Sequence, residues 1–205
     1  MANQVFATKG NLINTKKTLS LAKLGYELLD RKRNILIREL MMLIDEAQRL
    51  RDSIDSTYKE AYSALQLANI TMGVVSPIAE NMPIENSVEI SYKNVMGVEL
   101  PTISMDKPKP GISYGFMSSN SQLDKAYIAF CRVKEITVTL AQVENSIYRL
   151  ATAIKKTQRR ANALKNIIIP QNEATVKYIA DSLEEKEREE FSRLKVIKAQ
   201  KSREH

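Results

Sequence analysis

Two stretches of this chain repeat apolar residues at alternating steps of three and four, a pattern that very few folds can use. From Leu12 the steps reach Thr15, Leu19, Ala22, Tyr26, Leu29, Arg33, Leu36, Leu40, Leu43, Ala47, Leu50, Ile54, Thr57, Ala61, Ala64 and Ala68. Only Thr15, Arg33 and Thr57 are not apolar. A second run, from Ala126 through Ala129, Val133, Ile136, Leu140, Val143, Ile147, Leu150, Ile154, Thr157, Ala161 and Leu164 to Ile168, is interrupted only at Thr157. A mean spacing of 3.5 residues sustained over many turns makes a helix supercoil left-handedly around a partner, because the apolar seam then stays facing that partner.

The helix breakers fall between the two runs. Pro77, Pro83, Pro101, Pro108 and Pro110, with Gly73, Gly97, Gly111 and Gly115, lie in the segment 73–115, where missing donors and free backbones end regular helix. The reading is all-α dominated: a long antiparallel two-helix coiled coil with a small central cap containing a short β-hairpin. Residues 1–72 form the N-terminal arm, 73–120 the cap and 121–205 the C-terminal arm. If Ala68 lies near Ala126, Leu12 falls near Ser182 and roughly the last twenty residues project beyond it. At 1.5 Å per residue the first arm alone is then roughly 90 Å long.

Local signals complete this outline. Pro170 predicts a kink, after which Val176, Ile179 and Leu183 resume the helical pattern. The charged run from Glu184 to Glu190 sets Glu184 four residues before Arg188, and Glu189 sits four before Arg193, the favourable order on an exposed helix. Within the cap, Ser87–Tyr92 alternates polar and apolar, Lys93-Asn94 is a candidate turn, and Val95–Ile103 is rich in β-branched residues. Gly111–Asn120 reads as loop, and Ser121 with Asp124 as a capping box opening the second arm. Gly25 costs a helix about 1 kcal/mol against Ala; it either relieves crowding beside Tyr26 or lets another chain approach closely.

Several chemistries are excluded. One cysteine, Cys131, closes no intramolecular disulfide, and one histidine, His205, leaves no Cys/His zinc site and no Ser-His-Asp triad within the chain. No Gly-rich phosphate loop of either common type occurs, and the carboxylates of 184–190 sit where no apolar pocket raises a pKa. No catalytic constellation and no cofactor or metal site is expected. The N-terminus has no secretory pattern, and the uncharged stretch 61–79 holds too many polar and breaking residues to span lipid. The default compartment is intracellular and reducing.

Charge supplies the one candidate site. Residues 1–38 carry Lys9, Lys16, Lys17, Lys23, Arg31, Lys32, Arg33 and Arg38 against Glu27 and Asp30. In the antiparallel register Arg31, Lys32, Arg33 and Arg38 lie level with Lys155, Lys156, Arg159 and Arg160. That makes a positive collar contributed by both helices, a partner-binding surface by its electrostatics. Scattered lysines elsewhere need only be solubilising.

Three groups of residues together resemble a known family. Thr8-Lys9-Gly10-Asn11-Leu12, then Leu21-Ala22-Lys23-Leu24-Gly25-Tyr26-Glu27-Leu28-Leu29 and Arg31-Lys32-Arg33, resemble the opening of the D subunit of the V-type and A-type rotary ATPases. Arg159-Arg160-Ala161-Asn162-Ala163-Leu164 leading to Ile169-Pro170, and Glu184 to Lys198 around Phe191-Ser192-Arg193-Leu194-Lys195, match it further. The resemblance covers nearly the whole chain in order. Tyr26 stands where the family often has His, and Lys165 where it often has Glu.

The resemblance implies a non-catalytic central-stalk rotor that transmits rotation between an ATP-hydrolysing or ATP-synthesising hexamer and an ion-translocating membrane ring. It implies as partners the catalytic and regulatory subunits of the hexamer, the small F subunit of the central stalk and a funnel-shaped subunit linking to the ring. It also implies a cytoplasmic place, peripheral to the membrane, with no span of its own and no nucleic acid. The rival reading is a basic coiled-coil scaffold for nucleic acid or an anionic membrane surface, which the sequence pI of about 9.4 also permits.

Overall fold

The computed structural model describes residues 6–80, 82, 86–105, 114–115 and 119–202. Helix α1 runs Lys9–Met72 without a break over 64 residues. A short α2 spans Ser76–Glu80, strands β1 and β2 span Glu89–Val95 and Val98–Ser104, and α3 spans Ser121–Ala163. A π-helical turn, Leu164–Ile168, joins α3 to α4, Ile169–Lys201. Two compact units divide the chain: one holds residues 1–34 and 155–205, the other residues 35–154. The sequence-expected loop 111–120 and His205 fall largely outside the described residues.

In the unit of residues 35–154, α1 and α3 pair antiparallel. Arg51 meets Glu144 at 3.2 Å, the Tyr58 and Thr137 hydroxyls lie 3.1 Å apart, and Tyr62 packs edge-on against Phe130. Leu36, Ala61, Ala68, Ala126, Val133, Val143 and Leu150, all positions of the repeat, are buried. No repeat position of this unit is exposed, which is what a seam kept in phase requires. Helix α1 ends where Gly73 takes a φ of +83° and its amide donates to the Asn69 carbonyl at 2.9 Å, a left-handed stop that suits glycine. Ala68, Val75 and Leu123, with Met72, Ile78 and Tyr114 around them, form a small core where α1 gives way to α2 and α3 begins.

Two local expectations are corrected here. The hairpin turns at Met96-Gly97, with φ of 52° and 77°, and not at Lys93-Asn94. A two-residue loop in this twist needs positive φ at both central positions, and glycine supplies one at no steric cost. Asn94 acts instead through its side chain, whose Oδ1 accepts from the Gly97 amide at 2.8 Å. The cap of α3 is Asn120, not a Ser121–Asp124 box: its Oδ1 accepts from the Gln122 and Leu123 amides at 3.0 and 3.1 Å. Its Nδ2 also donates to Thr71 Oγ1 at 2.8 Å, tying the start of α3 to the end of α1. Asp124 accepts from the Tyr114 hydroxyl. Desolvation first, and that hydrogen bond second, push the Tyr114 phenol up to about 12.

In the other unit, α1 runs antiparallel to the end of α3 and to α4. Lys9 meets Glu187 at 3.0 Å, Lys23 meets Glu173 at 2.7 Å, and Arg33 meets Gln158 at 2.9 Å. Leu12 and Leu183 line one groove, close to the expected pairing of Leu12 with Ser182. Just before Pro170, where a kink is expected, the structure forms the π-helical turn Leu164–Ile168. Proline offers no amide and crowds the preceding turn; here the turn before it widens, and the Ile169 amide donates to the Leu164 carbonyl. The seam therefore advances five residues at this level: Leu164 and Ile169 are half-buried, whereas Ile168, the repeat position expected in the seam, is 39% exposed. Beyond it Asn172, Val176, Ile179 and Leu183 face inward again, Ile179 completely.

Candidate functional site

The basic residues singled out in the sequence divide by what they touch. Arg33 occupies a seam position, and its side chain is only 25% exposed. Burying a guanidinium is costly unless its donors are met, and here they are. Nη1 donates to Gln158 Oε1 at 2.9 Å, Nη2 lies 2.6 Å from Asp30 Oδ1, and Asn34 Oδ1 accepts from both Nη2 and Nε. Gln158 Nε2 passes the network on to Asn162 Oδ1 at 2.8 Å. This polar link across an apolar seam was not legible from Arg33 alone; the signal was Gln158 and Asn162, one helical turn apart on the facing helix.

The remaining collar residues are differently placed. Arg31, Lys155, Lys156, Arg159 and Arg160 are exposed and Lys32 is half-buried, all in the same unit as Arg33. Arg38 is exposed and belongs to the other unit. Among the described residues none of these seven is drawn into an ion pair of this chain. Asp30 is the acidic residue at this level and is spent on Arg33. Arg31, Lys32, Lys155, Lys156, Arg159 and Arg160 thus form uncompensated positive charge on two antiparallel helices.

One turn away, Lys165 Nζ sits 5.8 Å from the centre of the Tyr26 ring, a cation–π distance. These are the two positions at which the sequence departs from the resemblance, and they face each other. Gly25, beside Tyr26, has room: a Cβ there would meet only Leu164 Cδ1, at 3.8 Å. Crowding therefore does not demand glycine. Gly25→Ala is expected to stabilise the isolated chain by about 1 kcal/mol in urea unfolding, through backbone entropy and helix propensity; a loss of stability would show that the helices approach more closely at this level than that contact allows.

What the arrangement offers is charge and shape. Among the described residues there is no group of three His, Cys, Asp or Glu side chains able to hold a metal, and no helix is long and apolar enough to cross a membrane.

Comparison with known proteins gives the same direction. Residues 11–199 match the family model for the D subunit of ATP synthase. The D subunit of the V-type ATP synthase of Thermotoga neapolitana is 45% identical over 201 residues, covering 97% of this chain and 99% of its own. The D subunit of the A-type ATP synthase of Thermococcus kodakarensis is 42% identical over 94% of this chain and 92% of its own, and that of Desulfurococcus is 41% identical over the same shares. The match spans both units and the hairpin between the arms, at an identity that carries family membership without further argument. This chain belongs to the family of ATP synthase D subunits.

Proposed function

We propose that the chain is the central-stalk rotor of a V/A-type ATPase, a non-catalytic subunit that transmits rotation between the nucleotide-handling hexamer and the ion-translocating membrane ring. The observation that carries this reading is the 64-residue α1, continuous from one unit into the other and paired antiparallel with the returning helices in each. Two helices interlocked along a seam resist twist better than one, because bending either must shear the side chains packed between them.

Such a pair is also asymmetric about its axis. Catalytic interfaces arrayed around it meet different faces, so each shaft angle favours a different conformation at each interface. Nucleotide state and shaft angle are then coupled through differential contacts, reciprocally. Arg31, Lys32, Lys155, Lys156, Arg159 and Arg160 of the one unit meet the hexamer, with Arg33 holding their two helices in register, and Arg38 of the other unit contributes a contact of its own. The small F subunit binds the shaft, the funnel-shaped subunit takes the segment carrying the hairpin, and the complex sits at the cytoplasmic membrane face.

A reversible lock tests rotation itself. In a Cys131→Ser background, one cysteine on the exposed face of α4 is oxidised to one placed in the facing hexamer subunit. ATP turnover is expected to stop on oxidation and to recover on reduction. Unchanged turnover with the crosslink complete, or failure of the chain to copurify with a nucleotide-binding hexamer, overturns the reading.

A further inference from the structure

The β-hairpin has two edges, and they are finished differently. Its loop closes on the Val95–Val98 pair, so in a two-residue hairpin the ladder bonds fall on that pair and every second pair beyond it. Asn94–Glu99, Tyr92–Pro101 and Ile90–Ile103 then turn their backbone groups outward, away from the partner strand. On β2 side chains of α3 reach two of these groups, and proline removes a third. The Glu99 carbonyl accepts from Arg149 Nη1 at 3.1 Å, Pro101 has no amide to offer, and the Ile103 amide donates to Gln142 Oε1 at 2.8 Å. Arg149 also lies 5.2 Å from the centre of the Tyr92 ring, fixing the hairpin against α3 from its other strand.

Strand β1 has no such finish. Its residues are exposed from Glu89 to Asn94, and Ile90 and Tyr92 are 59% and 58% exposed. Among the described residues nothing meets the outward amides and carbonyls of Ile90, Tyr92 and Asn94. A row of free donors and acceptors at strand spacing is complementary to one thing, another extended backbone.

We propose that β1 is the site at which an extended segment of a neighbouring subunit adds to this chain as a third strand. The inference rests on the membership of the chain in the ATPase complex. The occupant is a subunit already held nearby and not a second copy. A seven-residue strand pairing alone buries far less than the roughly 1,000 Å² that a stable dimer needs, and two copies carrying +7 each repel. A segment tethered by contacts elsewhere needs only the strand, since its effective concentration is high. Gln142 and Arg149 act as positioning residues, holding the β2 edge against α3 and leaving β1 as the edge on offer.

Hydrogen exchange resolved to single residues decides it, comparing the purified chain with the assembled complex. In the isolated chain the Ile90, Tyr92 and Asn94 amides should exchange freely while the ladder amides of Ser91 and Lys93 are protected. In the complex the first three should slow by about tenfold or more. Ile90→Pro removes one outward donor without touching the ladder, as Pro101 does on β2, and should abolish the added protection at Tyr92 and Asn94. Unchanged exchange at those residues in a complex that contains the chain overturns the inference and leaves the rotor reading standing. Concentration-dependent protection in the isolated chain makes the occupant a second copy and equally overturns it. A chain that never enters the complex overturns both.

Discussion

Replacing Arg31, Arg159 and Arg160 together by Gln will leave helicity at the wild-type level yet weaken assembly with the hexamer by about tenfold or more at low ionic strength. Each of the three is exposed and free of ion pairs within this chain, so removing the charge costs the folded chain little. The loss comes from the partner side, where each solvated contact contributes a few tenths to about 1 kcal/mol and the field steers encounter. Such contacts suit a turning shaft, because they attract without fixing one angle. Raising the salt shortens the screening length and should bring variant and wild type together. Binding isotherms across a salt series measure it; equal affinities at every ionic strength would reduce the collar to a solubilising surface. Arg33→Gln belongs to a separate experiment, since it breaks the links to Asp30 and Gln158 and should lower stability as well.

Leu150→Ala and Ile179→Ala should each destabilise the chain by about 2 to 5 kcal/mol. Both side chains are fully buried, in different units, and each plugs a seam only one side chain deep, so the cavity it leaves has no second layer to collapse into it. Urea unfolding followed by circular dichroism gives the number. Tyr178→Ala, at a position 62% exposed beside Ile179, is the control and should shift stability by about 0.5 kcal/mol or less. Equal effects at Tyr178 and Ile179 would place the seam of α4 on the wrong face.

The seam was legible because one force dominates it. In α1 every repeat position from Leu12 to Ala68 is buried or half-buried, since water exclusion along a fixed period leaves no alternative face. Legibility failed where two local chemistries competed. Lys93-Asn94 is a good turn by composition, yet Met96-Gly97 turns, because glycine tolerates the positive φ and Asn94 serves as well by accepting from below. Ser121 and Asp124 have capping spacing, but Asn120 stands one residue earlier with a side chain that reaches two amides. The collar was visible as charge, while the assignment of Arg33 inward required knowing that Gln158 and Asp30 converge on it. The free edge of β1 lay beyond sequence reasoning altogether, since it depends on which strand's backbone Gln142 and Arg149 bond.

The widened turn at Leu164–Ile168 has one more consequence. An unbroken heptad pattern is translationally degenerate: slide one helix past the other by seven residues and apolar meets apolar again at little cost. Four- and three-residue steps alone would let α1 and its partner settle into several such alignments. The five-residue step between Leu164 and Ile169 does not choose among them, since α1 is regular throughout; it sets rotation, because three- and four-residue steps continued from Ile168 would bring Gln171, Thr175, Tyr178 and Ser182 inward. By adding one residue at this level the turn re-phases α4, so that Val176, Ile179 and Leu183 take the inward side and Tyr178 the outward one.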